Sequence, residues 1–430
     1  MLKVWLILRT FSPAIKSLLI AQSLYGIGLG MFTVLLNLYL REIGFSETTI
    51  GKILAVQSLC AAVFSMPMGW LADKSSRKAT YILGLLLSVS GYAIISFSKT
   101  LSIITVGAVI SGSGNGALLV SVVPYLQENC FNRQRPYIFS LNSALTWTTS
   151  ILSGLMAGWL PKIMKLSDSL PGSNDEQRLK YSLWIGICFI LFSFVPAIKM
   201  TKSANLNKII DLSKYPQSTK QTIKDAENPM KLMTMFAFVN MLIGFGAGMI
   251  VPYFNLYFKD WVGASILQIG TVFALGQFGT AIGSLISPFI SLRFGLVKGV
   301  VYSQILSLPF MILMAITHNF TLCALCFIFR NAFMNMCTPM SQEILMKIIP
   351  QRLRARASAT NSMSWNLSWA FAMFFSGSII KTLGYDFALI LASVCYLVAS
   401  IAYNKCFAHL EYKKGSFDPN IAFNKQTDKL

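Results

Sequence analysis

The chain has 430 residues, of which 54% are hydrophobic and only 12% charged, and it carries a net charge of +20. A soluble globular chain holds roughly 25% charged residues, so this composition argues against a soluble enzyme; the basic residues punctuate long apolar runs instead of forming a polar basic domain, which argues against a nucleic-acid binder. The eight cysteines lie mostly inside those runs, and Cys323 and Cys326 have CxxC spacing without a second pair or flanking histidine, so they read as small hydrophobes and not as disulfides or metal ligands.

Apolar windows of about 20 residues, the length that crosses a bilayer as a helix, recur twelve times. They lie at 17–39, 50–71, 80–98, 101–124, 138–160, 182–198, 233–256, 267–290, 299–317, 320–342, 359–380 and 385–403. The first is long enough to span and has no small-residue cleavage site, so it is expected to be retained. It closes on Asn37-Leu38-Tyr39-Leu40-Arg41-Glu42. The second runs into Gly69-Trp70-Leu71-Ala72-Asp73-Lys74-Ser75-Ser76-Arg77-Lys78. Gly69 allows two helices to approach closely, and Asp73 at a helix end can pair with cations and with a neighbouring helix terminus. Such a latch favours one conformer over another.

This loop resembles the signature loop of the major facilitator superfamily, Gly-x-Leu-Ala-Asp-Lys/Arg-x-Gly-Arg-Arg/Lys. It matches at Gly69, Leu71, Ala72, Asp73, Lys74, Arg77 and Lys78 and departs at Ser76, where the family has a second glycine. The resemblance implies an all-α membrane protein with twelve transmembrane helices in two pseudo-symmetric six-helix bundles. It also implies a transporter working by alternating access, with no catalytic residue, cofactor or metal.

Span 4 contains Gly112-Ser113-Gly114-Asn115-Gly116 and ends in Pro124-Tyr125-Leu126-Gln127-Glu128. Proton antiporters of the superfamily carry an arginine in span 4 and a glycine-proline pair in span 5. Ile110 stands at the first position here, and the proline of span 5 waits until Pro161. Glu128 with Arg135 resembles the cytoplasmic charge motif of sugar porters and is a candidate latch, as is Glu343 with Arg352, Arg354 or Arg356 in the second half. Polar and aromatic residues inside the spans prefer the bundle interior. Candidates for a solute cavity are therefore Gln22, Tyr25, Asn37, Asn142, Trp147, Asn240, Asn255, Gln277, Asn361, Trp365, Asn366 and Trp369, although helix-to-helix bonding accounts for such residues equally well.

Between positions 199 and 231 the chain turns polar, with seven lysines and two prolines. This divides it into a bundle at 1–199, a basic linker at 200–231, a second bundle at 232–405 and a tail at 406–430. The halves repeat each other. Gly30-Met31 and Asn37 to Glu42 recur as Gly248-Met249 and Asn255-Leu256-Tyr257-Phe258-Lys259-Asp260, offset by 218; Pro124 and Gln127-Glu128 recur as Pro339 and Gln342-Glu343, offset by 215; Asn142-Ser143 recurs as Asn361-Ser362, offset by 219. Parallel repeats of this kind place a solute pathway between the halves near mid-bilayer.

In span 10, Arg330 lies about 11 residues from the start of the window, roughly 16 Å at 1.5 Å per residue. An arginine at that depth is costly unless it faces water or a partner, and no Asp or Glu stands in the middle third of any span. Arg330 is thus a candidate for the anionic group of a solute; the competing reading is a structural arginine bonded to backbone or to Asn331 and Asn335. Its counterpart in the repeat is Asn115.

Lysine and arginine orient the spans. The N-tail, even-numbered loops and C-tail hold 26 of them and the odd-numbered loops nine, so both termini are expected in the cytoplasm and the protein in the cell membrane. The expected partners are a small organic solute of anionic or amphiphilic type, the lipid bilayer and a coupling proton, with no nucleic acid and a monomeric state. A sugar-type uptake porter and a lysolipid translocase are the alternatives, and a non-transporting sensor is the least favoured.

Overall fold

A computed structural model describes residues 11–130, 135–166, 174–201, 229–349 and 353–410. The expected linker and tail lie largely outside them. The described residues form α1 (Pro13–Glu42), α2 (Glu47–Lys74), α3 (Arg77–Phe97), α4 (Leu101–Glu128), α5 (Arg135–Leu166) and α6 (Asp175–Phe192, continued by Phe194–Lys199). The second half contains α7 (Pro229–Ile250), α8 (Ile266–Phe294), α9 (Leu296–Ile316) and α10 (Phe320–Ile348), then a helical run Arg354–Phe407. That run is two helices, α11 at 354–383 and α12 at 385–407, broken where Gly384 adopts φ 89°, a left-handed conformation that suits glycine.

Side-chain caps mark where helices begin. Ser12, Ser46, Ser76, Ser265 and Asn319 accept the orphan N–H groups that open α1, α2, α3, α8 and α10. Ser76, the departure from the superfamily loop, is extended at φ −168° and its hydroxyl accepts the Ala79 N–H at 3.0 Å. A serine here caps α3 where glycine could offer no side chain. Within the helices, hydroxyls turn back on the preceding turn, as Ser121 donates to the Ala117 carbonyl and Thr280 to that of Gly276. Polar atoms are thereby satisfied without water, as hydrocarbon requires.

Among the described residues ten helical runs are long and apolar enough to cross a membrane, and the last of them, at 360–407, holds two crossings. The twelfth is α5, with 32 residues, whose hydropathy is lowered by Ser, Thr and Trp between positions 143 and 153. Packing repeats between the halves: α4 lies against α2 and α3 as α10 lies against α8 and α9, and α1 packs on α5 and α6 as α7 packs on the 354–407 run. The outward faces are apolar, with Leu285, Phe289 and Ile316 more than two-thirds exposed, as suits a lipid-facing surface. Two pseudo-symmetric six-helix bundles result, meeting along α2 with α11 and α5 with α8.

Candidate functional site

A cavity of about 880 Å³ lies between the bundles and takes walls from both. At one end it stops at Asn37, Pro252 and Met373. Towards the face of the 75–76 turn it continues down to Ser341, Gln342, Asn361 and Ser362. Of the expected cavity residues, Asn37, Asn115, Trp147, Asn240, Gln277, Arg330, Asn331, Asn335, Asn361, Trp365, Asn366 and Trp369 line it. Gln22 and Tyr25 border a separate recess of about 160 Å³ between α1 and α5. Asn142 lines neither space, since the α5 turn that carries it lies beyond the part bordering the cavity. Asn255 is also absent from the wall, because its side chain is buried in the contact between the halves.

Arg330 is 3% exposed and lies at the cavity wall on α10. One terminal nitrogen donates to Asn331 Oδ1 at 2.9 Å and the other to the Tyr396 hydroxyl at 2.7 Å. Its guanidinium lies 5.4 Å from the Phe254 ring centre and 5.6 Å from that of Tyr396, within reach of the ring quadrupoles. Its Nε–H is buried without a partner. Among the described residues no carboxylate pairs with it. The repeat counterpart Asn115 sits in a neutral network: its carbonyl oxygen accepts from Tyr25 at 2.5 Å and Ser88 at 3.4 Å, and its amide donates to Tyr92 at 3.1 Å.

Two further C-half amides are held by their own helix or by a neighbour. Asn335 donates to the Asn331 carbonyl at 2.9 Å and to the Thr280 hydroxyl at 3.4 Å, while Asn240 donates to Asn361. Trp365 and Trp369 stack with ring centres 5.9 Å apart. Their placement depends on Gly244 and Gly248 of α7, where a Cβ would stand 2.9 Å and 2.6 Å from the Trp365 and Trp369 carbonyls. Gln304, Tyr396, Phe254 and Phe327 also line the wall. Phe254, Phe327 and Tyr396 are not marked in the sequence, because they stand in apolar spans and nothing but the fold directs them inward.

The closed end is a reciprocal clasp. Asn37 Nδ2 donates to the Pro252 carbonyl at 2.5 Å and to Asn255 Oδ1 at 3.1 Å, and Asn255 Nδ2 donates to the Val34 carbonyl at 2.9 Å. Each asparagine thus reaches the carbonyl three residues before the other, as a two-fold axis requires. Outside this pair, Arg41 meets Asp260 at 3.6 Å and Lys259 meets Glu42, again one cation and one anion from each half. The helix seams beside the clasp are tight. A Cβ on Gly158 would lie 2.9 Å from the Leu267 carbonyl of α8, and one on Gly377 of α11 would strike the Glu47 carbonyl of α2.

The opposite face looks different. A Cβ added to Gly69 would meet no atom within 4 Å, so the close helix approach expected there is absent; the nearby α2 residues Met66 and Trp70 are exposed. Arg77 pairs with Glu128 at 3.3 Å, inside the N-terminal bundle and not across the halves. Lys78 donates to the Ile198 carbonyl at 2.6 Å, tying α3 to the end of the α6 continuation. Glu343 is exposed at the end of α10. The side chains of Asp73, Arg135, Arg352, Arg354 and Arg356 lie outside the described residues.

The family model of the Major Facilitator Superfamily matches residues 18–212 and 236–422. An uncharacterized membrane protein of Saccharomyces cerevisiae is 21% identical over 325 residues, 68% of this chain and 70% of its own length. The quinolone resistance protein NorA of Staphylococcus aureus is 23% identical over 137 residues, 32% of this chain and 35% of NorA. Among solved structures, the nucleoside transporter NupG superposes with a TM-score of 0.72 at 15% identity, covering 92% of this chain and 99% of that one. A bacterial homolog of the human lysosomal transporter Spinster, in its inward-facing and occupied conformation, does so with a TM-score of 0.72 at 12% identity, covering 94% and 100%. These structural likenesses speak to fold.

Proposed function

The chain belongs to the major facilitator superfamily, and on that premise we propose that it moves a small organic solute across its membrane by alternating access, binding it in the cavity between the halves. The observation that carries this reading is the unequal closure of the cavity. The Asn37–Asn255 clasp and its ion pairs shut one end, while the wall runs on towards the other face. A solute held there is exposed to a single side, and rocking of one bundle against the other transfers it. The excess of Lys and Arg on the face of the 75–76 turn supports placing that face and both termini in the cytoplasm of a cell membrane, so that the described state is inward-open.

Among the described residues no carboxylate lines the cavity. A coupling proton would therefore act elsewhere, and Glu42 and Asp260 are the natural carriers, because protonating them removes both ion pairs of the clasp. The test is a solute screen by thermal stabilisation of the purified protein, followed by flux of each hit into proteoliposomes with and without a pH gradient. Flux no faster than in protein-free liposomes removes the transporter reading; flux indifferent to the gradient replaces proton coupling by facilitated exchange. The eleven Asn and Gln side chains in the wall favour one second reading, a neutral polyhydroxylated solute of the sugar or nucleoside kind, which the same screen separates.

A further inference from the structure

The geometry points to an organic monoanion, a carboxylate on an aromatic body, as the occupant of the cavity, its charge against Arg330 and its ring against Phe254, Phe327, Trp365 and Trp369. This inference rests on the transporter reading and narrows its solute. Arg330 is the single charged side chain in the described wall. It is almost wholly buried, yet its two engaged donors meet neutral acceptors, Asn331 Oδ1 and the Tyr396 hydroxyl, and its Nε–H meets none. Removing a cation from water without an anion to face it is expensive, so this wall is short of one negative charge. A solute that brings the charge relieves the deficit each time it binds.

The charge count also selects among anions. One guanidinium balances one carboxylate; a phosphate monoester carries nearly twice the charge into a wall whose other polar groups are amides and hydroxyls. Asn331 adjoins the guanidinium and can serve either form. Its carbonyl oxygen accepts from Arg330. A carboxylate oxygen can take that place, leaving the Asn331 amide free to donate to the second oxygen. The body of the solute then meets aromatic surface, since Phe254 lies against the guanidinium and edge-on to Phe327 at 5.0 Å, and the Trp365–Trp369 stack presents a flat wall from α11. A volume of about 880 Å³ accommodates a solute of one or two fused rings with room for water.

The test uses the full-length protein in detergent with benzoate, cinnamate and 2-naphthoate, their primary amides, and phenyl and naphthyl phosphates, read by thermal shift and equilibrium dialysis. At least one carboxylate is expected to bind at least about tenfold more tightly than its amide and than the aryl phosphate, the gain of a charge-assisted hydrogen bond over a neutral one. Arg330→Gln should abolish that preference, so that carboxylate and amide bind alike. Because a buried arginine can matter for folding, Arg330→Lys is the second variant: it keeps the charge without the planar fork, and should retain the preference at reduced affinity. A panel in which no carboxylate outperforms its amide overturns the inference, as does Arg330→Gln protein that binds carboxylate like the native chain. The two levels separate in proteoliposomes. Flux of an amide without any carboxylate preference removes the monoanion and leaves the transporter; carboxylate binding that depends on Arg330, without flux, keeps the site and removes the transporter.

Discussion

Asn37 and Asn255 each donate to a carbonyl of the other's helix, so neither can be removed without stranding buried partners in both halves. Loss of one such hydrogen bond costs about 1 kcal/mol, or about fivefold in an equilibrium. Asn37→Ala should accordingly move the population towards the state open on the clasp side by about that factor or more. Asn255→Ala should do the same, and the double variant should shift it by less than the sum, because the two share one network. Spin labels at Lys99 and Lys381, one on each half at the sealed face, read the change as growth of a longer-distance population. The outer ion pairs are weaker determinants. Their side chains are a quarter to two-fifths exposed, and exposed pairs contribute roughly 0–1 kcal/mol and are screened by salt. Glu42→Gln is therefore expected to shift the same distance distribution less than Asn37→Ala, and the shift should vanish in high salt. An equal or larger shift that persists in salt means that the clasp is held by charge and not by the amides.

At the scale of helices, the two seams obey the same two-fold relation. Gly154, Gly158 and Gly270 join α5 to α8, and Met373, Gly377 and Gly51, 219 residues away in the repeat, join α11 to α2. These glycine contacts lie in the part of each helix near the clasp, and they permit backbone-to-backbone approach where hydrocarbon offers no hydrophobic drive between helices. A leucine at Gly158 would be forced into the Leu267 carbonyl and should wedge that seam apart. Gly69→Leu meets open space in the described state, but under the proposed alternating access it stands where α2 closes once the molecule opens on the other side. The two variants should thus displace the Lys99–Lys381 distance in opposite directions, Gly158→Leu lengthening it and Gly69→Leu trapping the short form, with solute flux lowered in both. A shift of the same sign in both would show that the seams do not alternate. Hydropathy windows anticipate all twelve helices, including α5 at 138–160, although Ser, Thr and Trp residues lower its average. That Gly154 and Gly158 permit close packing is legible in the sequence; that they meet α8 is not, since a glycine in an apolar run carries no sign of which neighbour it meets.

For the whole molecule, the repeat explains why the clasp exists and why its meaning was hidden. The motifs ending in Arg41-Glu42 and Lys259-Asp260 are visible as a duplication, and a duplicated plus-minus pair related by a two-fold axis places each cation beside the other half's anion. Without that axis, Asn37 and Asn255 resemble solute ligands. In the fold Asn37 lies at the floor of the cavity and Asn255 is buried beneath it. The depth of Arg330 and its want of an acidic partner within the spans are legible in the sequence; its bond to Tyr396, its place against Phe254 and its unpartnered Nε–H are not. The same global view assigns direction. If the basic loops hold the 75–76 face in the cytoplasm, the cavity wall at Gln342 is reached from inside while the region beyond the clasp is not. In a cysteine-free background, Gln342→Cys should react with a membrane-impermeant maleimide in inside-out vesicles and stay unlabelled in intact cells. Tags on both termini should likewise be cleaved only in the inside-out vesicles. Labelling of Gln342→Cys from outside with both tags protected would place the described opening on the wrong side of the fold, and protection of one tag but not the other would break the even number of crossings on which the two-fold relation depends.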